Sequence, residues 1–161
     1  MIRDRGRAVT LGDMRKIYAA AAVYLGLGLL AGVFYREFTR AVDALGSQTQ
    51  LNTLHTHLLV LGTFFFLIAL ILERLFELTE HKLFNLWFIL HNVALVWTIG
   101  FMAANGVVDA TGNADAWGAM WSGMAGIGHI LLTVSFVIFF VILRRRIVAT
   151  ERAARRTVGA G

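Results

Sequence analysis

The sequence contains no cysteine and no proline, and only 16% of its 161 residues are charged. Without cysteine the chain has no disulfides, thiolate ligands, iron–sulfur clusters or covalently attached c-type haem. Without proline no helix is kinked by a missing backbone N–H. What remains is strongly apolar, with 58% hydrophobic residues and a mean hydropathy of +0.68. This composition indicates an integral membrane protein.

Four apolar runs are each about as long as the ~20 residues that cross a bilayer core. They cover residues 17–34, 51–72, 83–103 and 121–143. These runs take up most of the chain, so we predict a single membrane domain over residues 1–161. Because the loops between consecutive runs are short, neighbouring helices should be antiparallel. The predicted fold is therefore all-α, an up-down-up-down four-helix bundle in the membrane.

The basic residues predict the orientation of this bundle. All fifteen lysines and arginines except Arg36 and Arg40 lie in the second loop, the C-terminal tail or the N-terminal segment that carries Arg3, Arg5 and Arg7. Basic residues accumulate on the cytoplasmic side of membrane proteins, so both termini are predicted to be cytoplasmic. This rule explains the pI of about 10.4 without a nucleic-acid partner. The expected partner of the basic tail is the lipid bilayer.

Four of the five histidines lie inside the apolar runs, where an ionisable side chain is costly and needs a partner. His55 and His57 are in the second run, His91 in the third and His129 in the fourth. Around a helix His55 and His57 are about 200° apart, so they point to nearly opposite faces. One helix therefore cannot easily present both to the same flat ligand. If a metal binds this cysteine-free chain, imidazole nitrogen is its obvious ligand.

Small residues accompany two of these histidines. Gly62 is seven residues beyond His55, on the same helical stripe, and Gly126 lies three residues before His129. A flat surface beside an imidazole favours haem over a compact Zn²⁺ or Cu²⁺ site. Glycines also let helices pack closely in lipid, and the sequence does not separate the two uses.

The expected depth in the membrane also separates His91 from the other three histidines of the apolar runs. If the second helix runs inward, His55 and His57 lie in its outer third. The fourth helix also runs inward, which places His129 about 12 Å below its start, whereas His91 is nearer the middle or the cytoplasmic half. We therefore expect His55, His57 and His129 to be the iron ligands and His91 to be a weaker candidate.

The expected cofactor is haem b, with copper the less favoured alternative. Arg36 and Arg40 lie at the outer end of the first helix, at the level where haem propionates would emerge. Arginine pairs well with carboxylates, so both arginines are candidate cofactor-binding residues.

The segment HTHLLVLG, residues 55–62, resembles the H-x-H helix of haem–copper oxidase subunit I. In that family the first histidine of the motif binds the high-spin haem and the second binds the low-spin haem, which implies two cofactor faces on one helix. The whole chain also resembles a small bacterial family of four-helix membrane proteins of unknown function. The matching parts are HTHLLVLG, AGVFYREFT at residues 31–39 and GIGHI at residues 126–130. The resemblance implies a multi-pass protein of the bacterial cytoplasmic membrane.

The oxidase resemblance covers about one helix, and this chain has one four-helix arc where subunit I has three. The chain also lacks the double-histidine pattern of the oxidase copper site. Three copies would supply three arcs, so one hypothesis is a homotrimer in which His55 of one subunit and His57 of the next hold one iron. The alternative is a pair within one chain, formed by His129 with either His57 or His55.

These features predict a membrane b-type haem protein that transfers electrons or binds a diatomic gas, with a redox partner that the sequence does not identify. Two other hypotheses remain open. One is a cofactor-free transporter or proton relay, in which the histidines titrate along an internal path. The other is a structural subunit of a respiratory complex, in which the histidines are only hydrogen-bonded. An absorption spectrum separates the haem hypothesis from both.

Overall fold

The structure, a computed structural model, describes residues 11–158, which form four long helices joined by short turns. The helices are α1 (Leu11–Ala41), α2 (Leu51–Phe76), α3 (Phe84–Ala110) and α4 (Ala119–Val158). Short 3₁₀ turns at Leu78–Glu80 and Ala114–Ala116 precede α3 and α4. No strand occurs in the described part of the chain. The prediction of an all-α protein is confirmed.

Each helix contains a stretch long and apolar enough to cross a membrane. The candidate spans are Met14–Ala41, Leu51–Phe76, Phe84–Ala110 and Ala119–Arg156. They extend past most of the predicted ends because a helix that leaves the apolar layer keeps its backbone hydrogen bonds satisfied by continuing through the interface. The basic residues Arg3, Arg5 and Arg7 lie outside the described residues.

The helix α2 is not α-helical throughout. It begins as an α-helix over Leu51–His57, continues as a π-helix over Leu58–Phe64 and returns to an α-helix over Phe65–Phe76. A π-helix bonds residue i to i+5 and turns more slowly than an α-helix, and such segments are frequent at functional sites. The π-helical segment starts directly after the second histidine of the HTH motif.

Sequential helices pack against each other in opposite directions. Along α1, Tyr24 lies against Gly62 and Gly28 against Leu59 of α2. Residue numbers therefore rise along α1 as they fall along α2. In the pair α3 and α4, Trp97 bonds to Met124 and His91 to Ser135, so residue numbers again rise along one helix as they fall along the other.

The helices α2 and α3 occupy the centre of the bundle. Leu51 at the start of α2 packs on Gly106 near the end of α3, and α2 also reaches α4 through the contact of Phe65 with Phe136. The helix α3 also contacts α1, where the Tyr24 hydroxyl donates to Oδ1 of Asn92 at 2.9 Å and Nζ of Lys16 donates to Oδ1 of Asn85 at 3.0 Å. The faces of the bundle that carry exposed large apolar side chains are those that a bilayer would cover.

Gly62 provides a direct test of this packing. A Cβ at Gly62 would lie 2.5 Å from Cβ and Cγ of Tyr24, and the Cβ of Tyr24 cannot move without moving α1. We expect Gly62→Ala to lower the free energy of unfolding by about 2 kcal/mol, as overpacking does. The matched control is Gly26→Ala, because nothing lies within 4 Å of a Cβ there and alanine is the better helix former. Thermal unfolding in detergent should show the loss for Gly62→Ala alone, and equal melting temperatures would contradict the packing.

Candidate functional site: imidazoles at the start of helix 2 and in helix 4

His91 is fully buried at the centre of the bundle and both of its ring nitrogens have partners. Nε2 lies 3.0 Å from the carbonyl oxygen of Leu61, and Nδ1 lies 3.0 Å from Oγ of Ser135. Because a carbonyl only accepts, Nε2 donates to it, and Nδ1 of the neutral ring accepts from the Ser135 hydroxyl. The ring is also packed against Phe65 and Phe66. This weaker candidate therefore has no ring nitrogen left to bind iron.

His57 is half-buried and its ring orientation is set by its own helix. Nδ1 lies 3.0 Å from the carbonyl oxygen of Thr53, one turn earlier. Nδ1 must donate that hydrogen bond, so Nε2 of the neutral ring carries a free lone pair. A histidine that ligates a metal usually donates its other N–H to a carbonyl or carboxylate in this way. Thus His57 has the tautomer that a ligand bound through Nε2 requires.

His55 lies on the side of α2 that faces α1. Its Cβ is 3.9 Å from the position of a Cβ at Gly32. Nδ1 of His55 is buried and has no hydrogen-bond partner in the described part of the chain, while Nε2 is 3.5 Å from Oγ1 of Thr56. His55 therefore faces α1, whereas the hydrogen bond of His57 is made within its own helix.

His129 is exposed on α4. Its carbonyl accepts a hydrogen bond from Thr133, but neither nitrogen of its ring has a hydrogen-bond partner among residues 11–158. Inside an apolar span an imidazole without partners is costly, so a ligand or a second chain that bonded to this ring would be stabilising.

His129 borders a cavity of about 260 Å³ where the start of α2 meets α3 and α4. The cavity has a mixed lining, in which polar and small residues stand beside three large apolar ones, Phe101, Met102 and Trp117; the others are Gln50, Thr98, Ser122, Ala125 and Gly126. A Cβ at Gly126 would touch nothing within 4 Å, so the space beside His129 is open.

Gln50, which lines this cavity, directly precedes α2, and His57 lies seven residues further along the chain. His57 itself is not among the residues that line the cavity.

The contacts with α3 give the relative level of the two rings. Leu51 packs on Gly106, the Leu61 carbonyl bonds to His91, and Thr98 lies between these two points along α3. A Cβ at Gly128, the neighbour of His129, would meet Thr98. His129 thus lies level with the segment of α2 that runs from Leu51 to Leu61, which contains His57.

The structure places the predicted cofactor-binding residues Gly62, Arg36 and Arg40 away from the cleft beside His129. Gly62 does lie on the same side of α2 as His55, but Tyr24 fills the space that a flat ring would need. Arg36 and Arg40 are exposed at the end of α1, and Nε of Arg36 is 3.8 Å from Oε1 of Glu37. Since α1 packs on the His55 side of α2, these arginines are not part of the cleft beside His129.

The fifth histidine, His81, lies in the turn between α2 and α3, outside the spans. Its Nδ1 accepts a hydrogen bond from the backbone N–H of Leu83 at 3.2 Å. Burial lowers its pKa below the usual value, and the nearby cations Arg145, Lys82 and Arg146 lower it further. It is therefore neutral at pH 7 and far from the cleft.

Sequence reasoning missed the polar groups that complete these sites. Ser135, the partner of His91, is 44 residues away in the sequence. Gln50 and Thr98 line the cavity but are unremarkable polar residues in the sequence. Their only signal was polarity within or next to an apolar run. Among the described residues, no group of three or more histidine, cysteine, aspartate or glutamate side chains could hold a metal ion, so a compact three-ligand site is not formed within these residues.

Four helices that are long and apolar enough to cross a membrane indicate a multi-pass α-helical membrane protein. Residues 14–146 match the family described as a protein of unknown function, DUF2871. The chain belongs to this family, in agreement with the predicted resemblance to a family of unknown function. No curated protein and no solved structure matches the chain.

Proposed function

We propose that this protein is a membrane b-type haem protein that transfers electrons or binds a diatomic gas, with His57 and His129 as the iron ligands. The observation that carries the proposal is the hydrogen bond from Nδ1 of His57 to the Thr53 carbonyl, which leaves Nε2 available. The unpartnered ring of His129 at the same level, beside open space at Gly126, supplies the second ligand. His91 is the hydrogen-bonded core residue.

The size of the cleft supports an assembly of several chains. Its volume of about 260 Å³ is below the ~300–1,000 Å³ typical of sites for small organic ligands. A haem ligated by His129 would therefore extend beyond this chain, and a second copy would cover it from lipid. A homo-oligomer, with a trimer as the specific case, provides that cover. In the competing arrangement His55 of one subunit and His57 of the next hold the iron.

When bound, a haem with two imidazole ligands suits one-electron transfer, and one with a single imidazole leaves a position for O₂ or NO. Whether one or two imidazoles would bind the iron depends on the chain's own residues. The Thr53 carbonyl would hold His57 in its ligating tautomer, while the ring of His129 makes no hydrogen bond to the described residues. Arg36 and Arg40 are candidates for pairing with propionates only if the haem is held by His55.

We further propose that both termini are cytoplasmic and that the protein resides in the bacterial cytoplasmic membrane, where the cleft opens toward the outer leaflet. The basic residues support this orientation. A relationship to haem–copper oxidase subunit I belongs to the same proposal and rests on the HTH motif. The redox partner would then approach from the outer side.

The absorption spectrum tests the proposal. Protein expressed with a supply of haem and purified in detergent should show a Soret band, and a pyridine haemochrome assay should identify haem b and its ratio to chain. Light scattering should give the coloured fraction a molar mass larger than that of one chain, as expected for an oligomer. A monodisperse, fully helical protein with no Soret band would refute the haem proposal and favour a cofactor-free role for the histidines.

A further inference from the structure

The last part of α4 extends past the end of α2. Arg146 marks the level at which it leaves the bundle, because its Nε donates to the carbonyl oxygen of Phe76, the last residue of α2, and its Nη2 to Oε2 of Glu77, each at 2.9 Å. From there α4 continues as an α-helix to Val158, a further rise of about 18 Å at 1.5 Å per residue. This extension therefore projects from the end of the bundle where α2 ends and α3 begins.

Arginines occupy one face of the end of α4. Six arginines follow Leu143, and successive residues of an α-helix advance by about 100°. Five of the six therefore lie within about 120° of one another, whereas Arg146 lies outside this sector. We call these five the arginine face: Arg144, Arg145, Arg152, Arg155 and Arg156. All five are exposed, and none of them has an ion pair within residues 11–158.

The positive potential of this face is not confined to α4. Burial lowers the pKa of His81, in the turn between α2 and α3, and the nearby charges of Arg145, Lys82 and Arg146 lower it further. Lys82 is itself exposed. Because Arg145 and Lys82 both lie near His81, the turn between α2 and α3 extends the cationic surface beyond α4.

Height above the membrane decides which anions the outer arginines can reach. The apolar run of α4 ends at Leu143, so the hydrocarbon layer ends near Arg144. Arg152 and Arg156 lie about 12 and 18 Å further along the helix axis, and a typical tilt of ~20° reduces these heights by only about 6%. The headgroup layer on each side is about 5–8 Å thick. Arg144 is thus at the level of the headgroups, whereas the outer three arginines are in water beyond them.

Glu151 makes this face more suitable for a protein than for a nucleic acid. It is exposed at the edge of the arginine face, about 40° from Arg155 around the helix. A nucleic-acid backbone presents only phosphates, which Glu151 repels, whereas a protein surface can place a cation opposite it. Residues 147–158 also contain no aromatic side chain on which a base could stack.

We propose that the arginine face is a docking surface for a soluble protein whose own surface is acidic. Carboxylates of the partner pair with Arg152, Arg155 and Arg156, since a guanidinium group can hold a carboxylate through two parallel hydrogen bonds. Because α4 continues without interruption into the bundle, the partner is held at a fixed distance from the membrane. This inference is independent of the haem proposal, because Arg152 lies about 35 Å along α4 from His129.

Photocrosslinking in cells of the native host tests this inference. The full-length protein carries Arg152→p-benzoylphenylalanine, and the matched control carries Ala153→p-benzoylphenylalanine, because Ala153 is exposed on another side of the helix. We expect position 152, and not position 153, to form an adduct with a soluble protein through a peptide rich in aspartate and glutamate. Adding Arg155→Gln and Arg156→Gln should reduce the yield of this adduct at least fivefold. An adduct with lipid or nucleic acid, equal yields at the two positions, or no adduct would overturn the inference.

A second test uses the purified protein in phosphatidylcholine nanodiscs and a probe of defined chemistry. The probe is a fluorescent helical peptide with glutamate along one face, and its control is the same peptide with glutamine at those positions. Fluorescence anisotropy should show at least tenfold tighter binding of the glutamate peptide. Arg152→Gln, Arg155→Gln and Arg156→Gln combined should weaken this binding about tenfold, since each exposed ion pair contributes up to about fivefold.

Two single changes serve as controls for this binding. Arg74→Gln removes an exposed cation of α2 outside the arginine face and should leave the affinity unchanged, whereas Arg152→Gln should lower it about twofold or more. Glu151→Gln should raise the affinity, because it removes a charge that repels the probe. Equal affinities of the Arg74→Gln and Arg152→Gln variants, or a lower affinity of the Glu151→Gln variant, would contradict the proposed surface. Circular dichroism confirms that each variant is folded, and the anisotropy of the probe does not depend on whether haem is bound.

Discussion

His57→Ala and His129→Ala should each remove the haem Soret band from protein expressed with a supply of haem. The expected loss is at least tenfold in haem retained per chain, because b-type haem is held chiefly through its axial ligands. The physical reason lies in the ring environments. Nε2 of His57 is left free by the hydrogen bond of Nδ1 to Thr53, and the ring of His129 has no hydrogen bond to the described residues.

The matched controls are the other histidines. His81→Ala removes an imidazole outside the spans and should leave the spectrum unchanged. His55→Ala separates the two arrangements of ligands. Retention of haem in this variant supports the pair of His57 and His129, whereas loss of haem in His55→Ala with retention in His129→Ala would contradict that pair and favour ligation between subunits.

A conservative variant distinguishes ligation from positioning. Thr53 contributes a backbone carbonyl, so no side-chain change at Thr53 removes the hydrogen bond to His57. His57→Met keeps a weak ligand and should shift the Soret and visible bands if the residue binds iron directly. An unchanged spectrum in His57→Met would show that His57 does not ligate.

The sequence predicted the helices well because their signal is local. Hydropathy marked every span, and the start of the second was placed at Leu51, where the structure has it. Ends were placed short because the helices continue through polar residues such as Arg36, whose charge lowers the hydropathy without breaking the backbone pattern. Apolar length measures the thickness of the hydrocarbon layer and not the length of the helix.

The candidate site was less predictable because it depends on contacts between distant residues. Gly62 was expected to leave space beside His55, but the side chain that fills this space, Tyr24, belongs to another helix. The π-helical turn after His57 also has no marker in the sequence. The π-helical segment changes the regular 100° step beyond His57, yet Gly62 still lies on the side of α2 that faces α1, as His55 does.

His91→Ala should destabilise the protein more than any other histidine substitution. The change leaves a cavity among fully buried aromatic rings, including Phe66 and Trp87. It also removes the partners of Ser135 and the Leu61 carbonyl. Large-to-small changes in a core cost about 2–5 kcal/mol, and each hydrogen bond inside a membrane bundle adds about 0.6 kcal/mol. We expect a loss of roughly 3 kcal/mol, or roughly 9 °C in melting temperature for a chain of this size.

Thermal unfolding of the haem-free protein in detergent measures this effect without a contribution from the cofactor. Ser135→Ala removes one hydrogen bond and leaves the ring in place, so it should cost only about 0.6 kcal/mol. His129→Ala should have almost no effect, because its ring is exposed and makes no hydrogen bond to the described residues. His91→Gln retains a donor for the Leu61 carbonyl and should recover part of the loss. If His91→Ala had the same melting temperature as His129→Ala, His91 would not be the hydrogen-bonded centre of the core. It would then be a candidate iron ligand again.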